Sequence, residues 1–271
     1  MIKCVVPISG GKDSQLCAKL ALKKFKKEEV MFVFCDTGYE HPLTYKHIEW
    51  IEKEYGVQTV HLKNNKSVYD LIIQTGCFPT DLMRFCTNEL KIQRSKNFYA
   101  MLVQVQGFGF EVWYGMRLGE SYARSQRYKD HNPNKLYEPH EMLGNYPKYL
   151  GKAGIRFKLP ILTLEEEEVF DLLGDEVNPL YSHGFDRVGC FPCLAGRDGS
   201  KETAFSLDEF GRKRRIDVIE IGQVIQKNIF TTKGGRKRNP DSVIGNPDSN
   251  QNDMQGGLFL DDVAPCHICN I

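Results

Sequence analysis

Lys3-Cys4-Val5-Val6-Pro7-Ile8-Ser9-Gly10-Gly11-Lys12-Asp13-Ser14, running on into Gln15-Leu16-Cys17, is the stretch from which the rest of this 271-residue chain can be read. Residues 3–8 are a short apolar run of strand length that ends in a glycine turn. Residues 14–25 then place Leu16, Cys17, Leu20 and Ala21 on one helical face. A glycine turn between a buried strand and a helix presents backbone N–H groups at a helix N-terminus. Those dipoles and the helix macrodipole both favour a bound anion. Gly10 and Gly11 permit close backbone approach, Lys12 adds a compact positive charge, and Ser9 and Ser14 are hydroxyl donors. The spacing is not that of a Walker A loop, which needs Gly-x-x-x-x-Gly-Lys-[Ser/Thr]. By itself, a double glycine in such a place more often only joins strand to helix.

Strand and helix signals keep alternating downstream. Strands are expected over residues 30–34, 57–62, 110–114 and 155–161, and helices over residues 42–55 and 87–104. Ser67-Val68-Tyr69-Asp70 reads as a capping box opening a further helix, and Thr163-Leu164-Glu165-Glu166 as another whose helix stops at Gly174. This order implies an α/β fold, a doubly wound and mostly parallel sheet with helices on both faces. Residues 128–156, rich in Asn, Pro, Gly and Tyr, read as an excursion loop, and residues 231–257 as a linker. The expected division is a main α/β domain over residues 1–200 and a C-terminal helical extension with a cysteine-bearing tail over residues 201–271.

A net charge of +1 gives no global field toward nucleic acid or membrane surfaces. Local basic clusters, such as Arg212-Lys213-Arg214-Arg215, read first as solvated faces and second as a phosphate-tracking surface. With neither a signal core after Met1 nor a transmembrane run, a cytoplasmic protein with no membrane partner is expected. Its nine cysteines are then reduced, and read as metal ligands, reactive groups or core residues.

Ser9-Gly10-Gly11-Lys12-Asp13-Ser14 after an N-terminal strand resembles the Ser-Gly-Gly-x-Asp-Ser signature of PP-loop ATP pyrophosphatases. Three further segments narrow the resemblance to the phosphoadenosine phosphosulfate reductase-like family, with its adenine nucleotide alpha hydrolase-like fold. Asp36-Thr37-Gly38 resembles that family's Asp-Thr-Gly turn. Arg84-Phe85-Cys86-Thr87 with Leu90-Lys91 resembles its Arg-x-Cys-Thr-x-x-Leu-Lys motif. Gly115-Met116-Arg117 with Glu120-Ser121 and Arg124 resembles its Gly-x-Arg-x-x-Glu-Ser-x-x-Arg segment. Asn178-Pro179-Leu180-Tyr181 and Gly189-Cys190-Phe191-Pro192-Cys193 complete the pattern over about residues 3–200. The resemblance implies that residues 9–14 hold ATP phosphates with Mg2+, and that Asp36, Thr37 and Gly38 contact the nucleotide. Arg117 and Arg124 suit phosphate recognition through their planar donor forks.

Cys190-x-x-Cys193 and Cys266-x-x-Cys269 are two chelating pairs, and Cys86 is a single thiol. Two arrangements compete. Cys86, Cys190 and Cys193 hold a [4Fe-4S] cluster with Cys266 or Cys269 as fourth ligand, the choice leaning to Cys266. Alternatively the two pairs form a Cys4 zinc site and leave Cys86 free. Cluster-bearing relatives join a cysteine of the Cys-Thr motif to the later pair. The chain departs from adenylylsulfate reductases in having Phe85 where they carry a second adjacent cysteine.

The expected reaction is adenylation with release of pyrophosphate, with Lys12 and Asp13 as catalytic residues, followed by sulfur transfer. The acceptor is a nucleic acid or a small molecule, and a sulfur-donor protein is a candidate partner. Asp13 is expected either to position Mg2+ or to cap the turn. One rival is a sulfonucleotide reductase whose nucleophile is Cys266 or Cys269. Another is a non-enzymatic nucleotide or nucleic-acid binding module with structural zinc.

Overall fold

Five parallel strands form the centre of the molecule: β1 (Cys4–Pro7), β2 (Val30–Asp36), β3 (Thr59–Lys63), β4 (Glu111–Trp113) and β5 (Arg156–Lys158), in the spatial order β3-β2-β1-β4-β5. This computed structural model describes residues 1–80 and 82–230. β1 is flanked on both edges, pairing Cys4 with Val30 on one side and with Glu111 on the other. Its four residues are all buried, as expected for a central parallel strand covered on both faces. Successive side chains alternate between two cores. Cys4 and Val6 join Leu16, Ile48 and Val169 on one face, whereas Val5 joins Tyr99, Tyr114 and Phe157 on the other.

The first face is covered by α1 (Lys12–Lys24) and α2 (Pro42–Tyr55), together with the helix Glu166–Leu173. Proline at the first turn of α2 and Gly56 in a left-handed conformation at its end set both boundaries. α3 (Val68–Thr75) opens with the expected box: Ser67 Oγ accepts from Asp70 N, and Asp70 accepts from Ser67 N.

Three expectations are corrected. The helix expected over residues 87–104 begins as a turn at Phe85–Thr87, passes through a π-helical turn at Asn88–Ile92, and then runs as α-helix over Gln93–Gln106. The second capping box lies two residues further on, where Glu165 N donates to Glu168 Oε2 at 2.7 Å. Turns through Leu162 and Leu164 use the backbone ahead of it. Residues 128–156 carry short helices at Pro139–Met142 and Lys148–Lys152, and bury Tyr128, Met142, Tyr146 and Leu150 against the sheet. They form part of a core rather than a simple loop. Beyond the sheet, the helices Asp198–Leu207 and Glu209–Val224 pack Phe205 and Val218 with Tyr39, Leu71 and Leu90. Among the described residues, no helix is long and apolar enough to cross a membrane.

Candidate active site

The strand order reverses at β1, whose neighbours β2 and β4 lead to opposite sides of the sheet. In open parallel sheets this switch point, outside the carboxyl ends of the strands, is where ligands bind. Residues 8–11 fill it between β1 and α1. Gly10 has φ +75°, and a Cβ there would stand 2.7 Å from Thr44 Cγ2, so both conformation and space demand glycine. Its carbonyl accepts from Asn178 Nδ2 at 3.1 Å.

The two serines staple the loop. Ser9 N donates to Ser14 Oγ at 3.1 Å, and Ser14 Oγ donates to the Gly11 carbonyl at 2.9 Å. The two hydroxyls lie 3.2 Å apart. Of the turn amides, Gly11 N approaches Ser9 Oγ at 3.4 Å and Lys12 N donates to the Tyr181 hydroxyl at 3.0 Å. The loop was expected to present its amides openly. Instead, a tyrosine hydroxyl occupies one of them, and residues 9–14 are all buried. Gly11, as the residue preceding α1, supplies no side-chain cap, so the first turn of the helix keeps amide capacity for an anion. Burial pushes the Tyr181 phenol up from its ordinary value, so the hydroxyl facing Lys12 N stays neutral.

Around the loop lies a buried charge cluster. Lys12 Nζ reaches Glu166 Oε1 at 2.7 Å and the Asp186 carbonyl at 3.2 Å, over the rings of Tyr181 and Phe170. Arg117 Nε donates to Asp13 Oδ1 at 2.6 Å. Arg124 pairs with Glu120. Burial, with Arg187 nearby, lowers the Arg124 guanidinium to about 9. Gly115, at the exit of β4, packs its α-carbon onto the Asp13–Ser14 backbone. Lys12, Arg117 and Arg124, all buried, are thus paired with the carboxylates of Asp13, Glu120 and Glu166, and the exposed Arg187 lies near Arg124. An anion placed among them gains from cations whose desolvation the fold has already met.

The Asp36-Thr37-Gly38 turn leaves β2 one strand away. Asp36 Oδ1 accepts from Gly38 N at 2.9 Å and from the Tyr45 hydroxyl at 2.7 Å. Asp36, Thr37, Gly38, Tyr45, Lys63 and Ser67 line a cleft of about 570 Å³. Thr37 Oγ1 donates to Glu40 Oε1 at 2.7 Å and lies 3.8 Å from Cys190 Sγ. Glu40 and Cys190 form an antiparallel bridge, and Phe191 N donates to the Tyr39 carbonyl at 2.8 Å. The cysteine pair is therefore tied directly to the turn.

Cys86, Cys190 and Cys193 act on one another electrostatically, around the buried Lys91. Burial pushes the Cys190 thiol up to about 12; Lys91 opposes this, while Glu40, Cys193 and Cys86 add to it. Burial draws the Lys91 ammonium down, but Cys190, Glu40, Cys35 and Cys193 outweigh it and the net shift is upward. No group of three or more His, Cys, Asp or Glu among the described residues is arranged to hold a metal ion. Cys266 and Cys269 lie outside the described residues. Cys4, Cys17 and Cys35 are buried in the core. Reading the sequence assigned no role to Arg187, Glu40, Glu166 or Tyr181. Of these, Tyr181 lay within Asn178-Pro179-Leu180-Tyr181, and Glu166 was read only as part of a capping box.

Residues 3–195 match the phosphoadenosine phosphosulfate reductase domain. The chain belongs to that family. An uncharacterized protein of Methanocaldococcus jannaschii is 30% identical over 194 residues, covering 70% of this chain and 36% of the relative. An uncharacterized 37.8 kDa protein of Escherichia phage 186 is 26% identical over 250 residues, covering 74% and 70%. The chain thus spans about a third of the archaeal relative's length and about two thirds of the phage protein's. Among solved structures, phosphoadenylyl-sulfate reductase from Candida auris is 16% identical, with a TM-score of 0.46, covering 70% of this chain and 82% of that one. The U34-tRNA thiolase NcsA from Methanococcus maripaludis, with its [4Fe-4S] cluster, is 18% identical, with a TM-score of 0.44, covering 90% and 80%. At those scores neither structure bears on the reaction of this family member.

Proposed function

We propose that this chain adenylates an acceptor at the expense of ATP, releases pyrophosphate, and does so in the service of sulfur transfer. One observation carries the reading: Thr37 of the turn that this reading gives to the nucleotide lies 3.8 Å from Cys190 Sγ, which supports a nucleotide and a thiol working side by side. In this reading the first-turn amides of α1, Lys12, Arg117, Arg124 and Arg187 receive the triphosphate. Charge accumulates on its bridging and β,γ oxygens as the α-phosphorus is attacked. An acceptor oxygen bonds to that phosphorus, the bond to the β-phosphate oxygen breaks, and pyrophosphate leaves. A sulfur nucleophile then displaces the adenylate, and AMP carries away the oxygen. The Tyr181 hydroxyl, which occupies the Lys12 amide, has to yield to phosphate oxygen on binding.

Asp13 serves this scheme by holding Arg117, not by holding Mg2+. Its Oδ1 is bound to Arg117 and its Oδ2 lies 3.8 Å from Lys12 Nζ. Glu120 and Glu166 are likewise paired to cations, so these carboxylates do not fit a magnesium sphere, and the metal belongs to the nucleotide. For a cluster, Cys86, Cys190 and Cys193 are three soft donors in this reading and the buried Lys91 offsets thiolate charge, but the three are not gathered into a metal-holding group among the described residues. When bound, a [4Fe-4S] cluster supplies a redox-active centre able to hold sulfur. Cys266 is the fourth ligand in this scheme. Glu40, bridged to Cys190, holds the Cys190 segment against the turn.

The test is pyrophosphate release from ATP by anaerobically purified protein, with and without RNA, DNA and small acceptors, alongside Lys12→Met. Release that depends on Lys12 supports the reading, and none under any condition sinks it. Family membership supports a second reading, reduction of an adenylylsulfate, for which thioredoxin-dependent sulfite release is the corresponding assay.

A further inference from the structure

The family match ends at residue 195, yet the Glu209–Val224 helix reaches back onto the Asp36-Thr37-Gly38 turn. Arg214 on that helix donates from Nη2 to the Gly38 carbonyl at 3.1 Å and from Nη1 to the Tyr69 hydroxyl at 3.3 Å. Its guanidinium lies 4.3 Å from the centre of the Tyr39 ring and 4.8 Å from that of Phe210. Asp217, almost one turn on, accepts from the Tyr69 hydroxyl at 3.2 Å. Asp208, at the helix start, meets His41 Nε2 at 2.9 Å. The Gly38–Tyr39 peptide is thus gripped on both sides: Arg214 binds its carbonyl, and its N–H lies 3.2 Å from both Thr37 Oγ1 and Glu40 Oε2. Gly38 has φ +66°, and no atom lies within 4 Å of where its Cβ would stand. Packing at that α-carbon does not hold the peptide, so its orientation rests on the polar contacts.

We infer that Arg214 is a positioning residue of the nucleotide site, contributed by a helix outside the family domain. It sets the turn that receives the nucleotide and does not itself meet the reacting atoms. The inference rests on reading residues 36–38 as the adenine-nucleotide turn. Bridging two acceptors while lying against aromatic faces needs a planar, delocalised cation. A lysine ammonium keeps the charge but does not offer that fork.

Two variants and two readouts test this. Arg214→Met fills the aromatic cage without donors, and Arg214→Lys keeps only the charge; if the first does not fold, the second carries the comparison. Without nucleotide, amides of residues 36–41 exchange about tenfold faster in Arg214→Met, while those of β1 and β2 up to residue 35 keep wild-type protection. The dissociation constant and KM for ATP rise about tenfold with kcat within about twofold, and Arg214→Lys falls between. Wild-type exchange together with wild-type affinity in the variants overturns the inference. So does a uniform loss of protection across the sheet, which marks a merely structural residue. A wild-type protein that binds no adenine nucleotide overturns the reading of the turn and this role with it. That outcome is distinct, because the wild type itself is then silent.

Discussion

Gly115→Ala sets one methyl group against the phosphate loop. A Cβ on Gly115 would stand 2.6 Å from the Asp13 carbonyl carbon, and 2.7 Å from both its oxygen and Ser14 N. Ordinary contact begins at 3.4 Å, so the approach is too close by about 0.7–0.8 Å. All three atoms are backbone, in the first turn of a helix whose Leu16 and Cys17 are locked in the core. No rotamer change relieves them, so α1 and the exit of β4 must separate. Overpacking of this kind costs about 1–3 kcal/mol; a cost of about 2 kcal/mol lowers the melting temperature by roughly 4–8 °C in a domain of this size. The same shift moves Lys12 and Asp13 relative to Arg117, and a displacement of about 1 Å in such a constellation costs roughly 10²-fold in rate. The assay pairs a thermal melt with ATP binding and pyrophosphate release. Gly199→Ala is the control: it lies in the helix Asp198–Leu207 with no atom within 4 Å of a new Cβ, and gains about 0.5–1 kcal/mol. If Gly115→Ala melts with the wild type and binds ATP as tightly, the loop is not held as described.

Three further outcomes are expected. Asn178 is fully buried and joins the Gly10 carbonyl to the Leu180 amide. Asn178→Ala leaves both without their partner and costs about 2–4 kcal/mol, read as a lower urea midpoint at unchanged m. His47 donates from Nε2 to Gln15 Oε1 at 2.8 Å, a direction fixed because Gln15 Nε2 donates to the Glu176 carbonyl. Burial lowers its pKa to about 4. The unfolded chain therefore takes up the proton first, so the contribution of neutral His47 is complete above about pH 6.5 and is lost as pH falls toward 4, by about 2 kcal/mol at pH 5. A wild-type-minus-His47→Gln stability difference that stays constant over this range contradicts the assignment. Cys86→Ser removes most of the iron from anaerobically reconstituted protein in the cluster reading, whereas the Cys4 zinc reading predicts unchanged metal; absorbance and elemental analysis separate the two.

Much of the fold was legible because it is written in short-range chemistry. Proline at the start of α2, the Ser67–Asp70 box and the glycine stop at Gly174 act within one or two helical turns. The valine-rich runs of β1 and β2 declare buried parallel strands. The shifted box at Glu165 and the π-helical turn at Asn88–Ile92 were not legible, because turns and packing from elsewhere in the chain decide them. Nor was the part played by residues 128–156, whose Tyr146 finds its partners only once Tyr99, Tyr114 and Phe157 converge.

The residues 9–14 motif, the Asp36-Thr37-Gly38 turn and the cysteine pair were all visible as strings of letters, since each is local. Their mutual arrangement was not. Arg117 meets Asp13 across 104 positions, Lys12 takes its hydroxyl partner from Tyr181 across 169, and Thr37 approaches Cys190 across 153. Periodicity and capping act over a few residues, so they name the parts; which part faces which is settled by the order in which five parallel strands pack. For that reason Asp13 could be read as a metal or capping residue from its position alone, and turns out to hold an arginine only when β4 is laid beside β1.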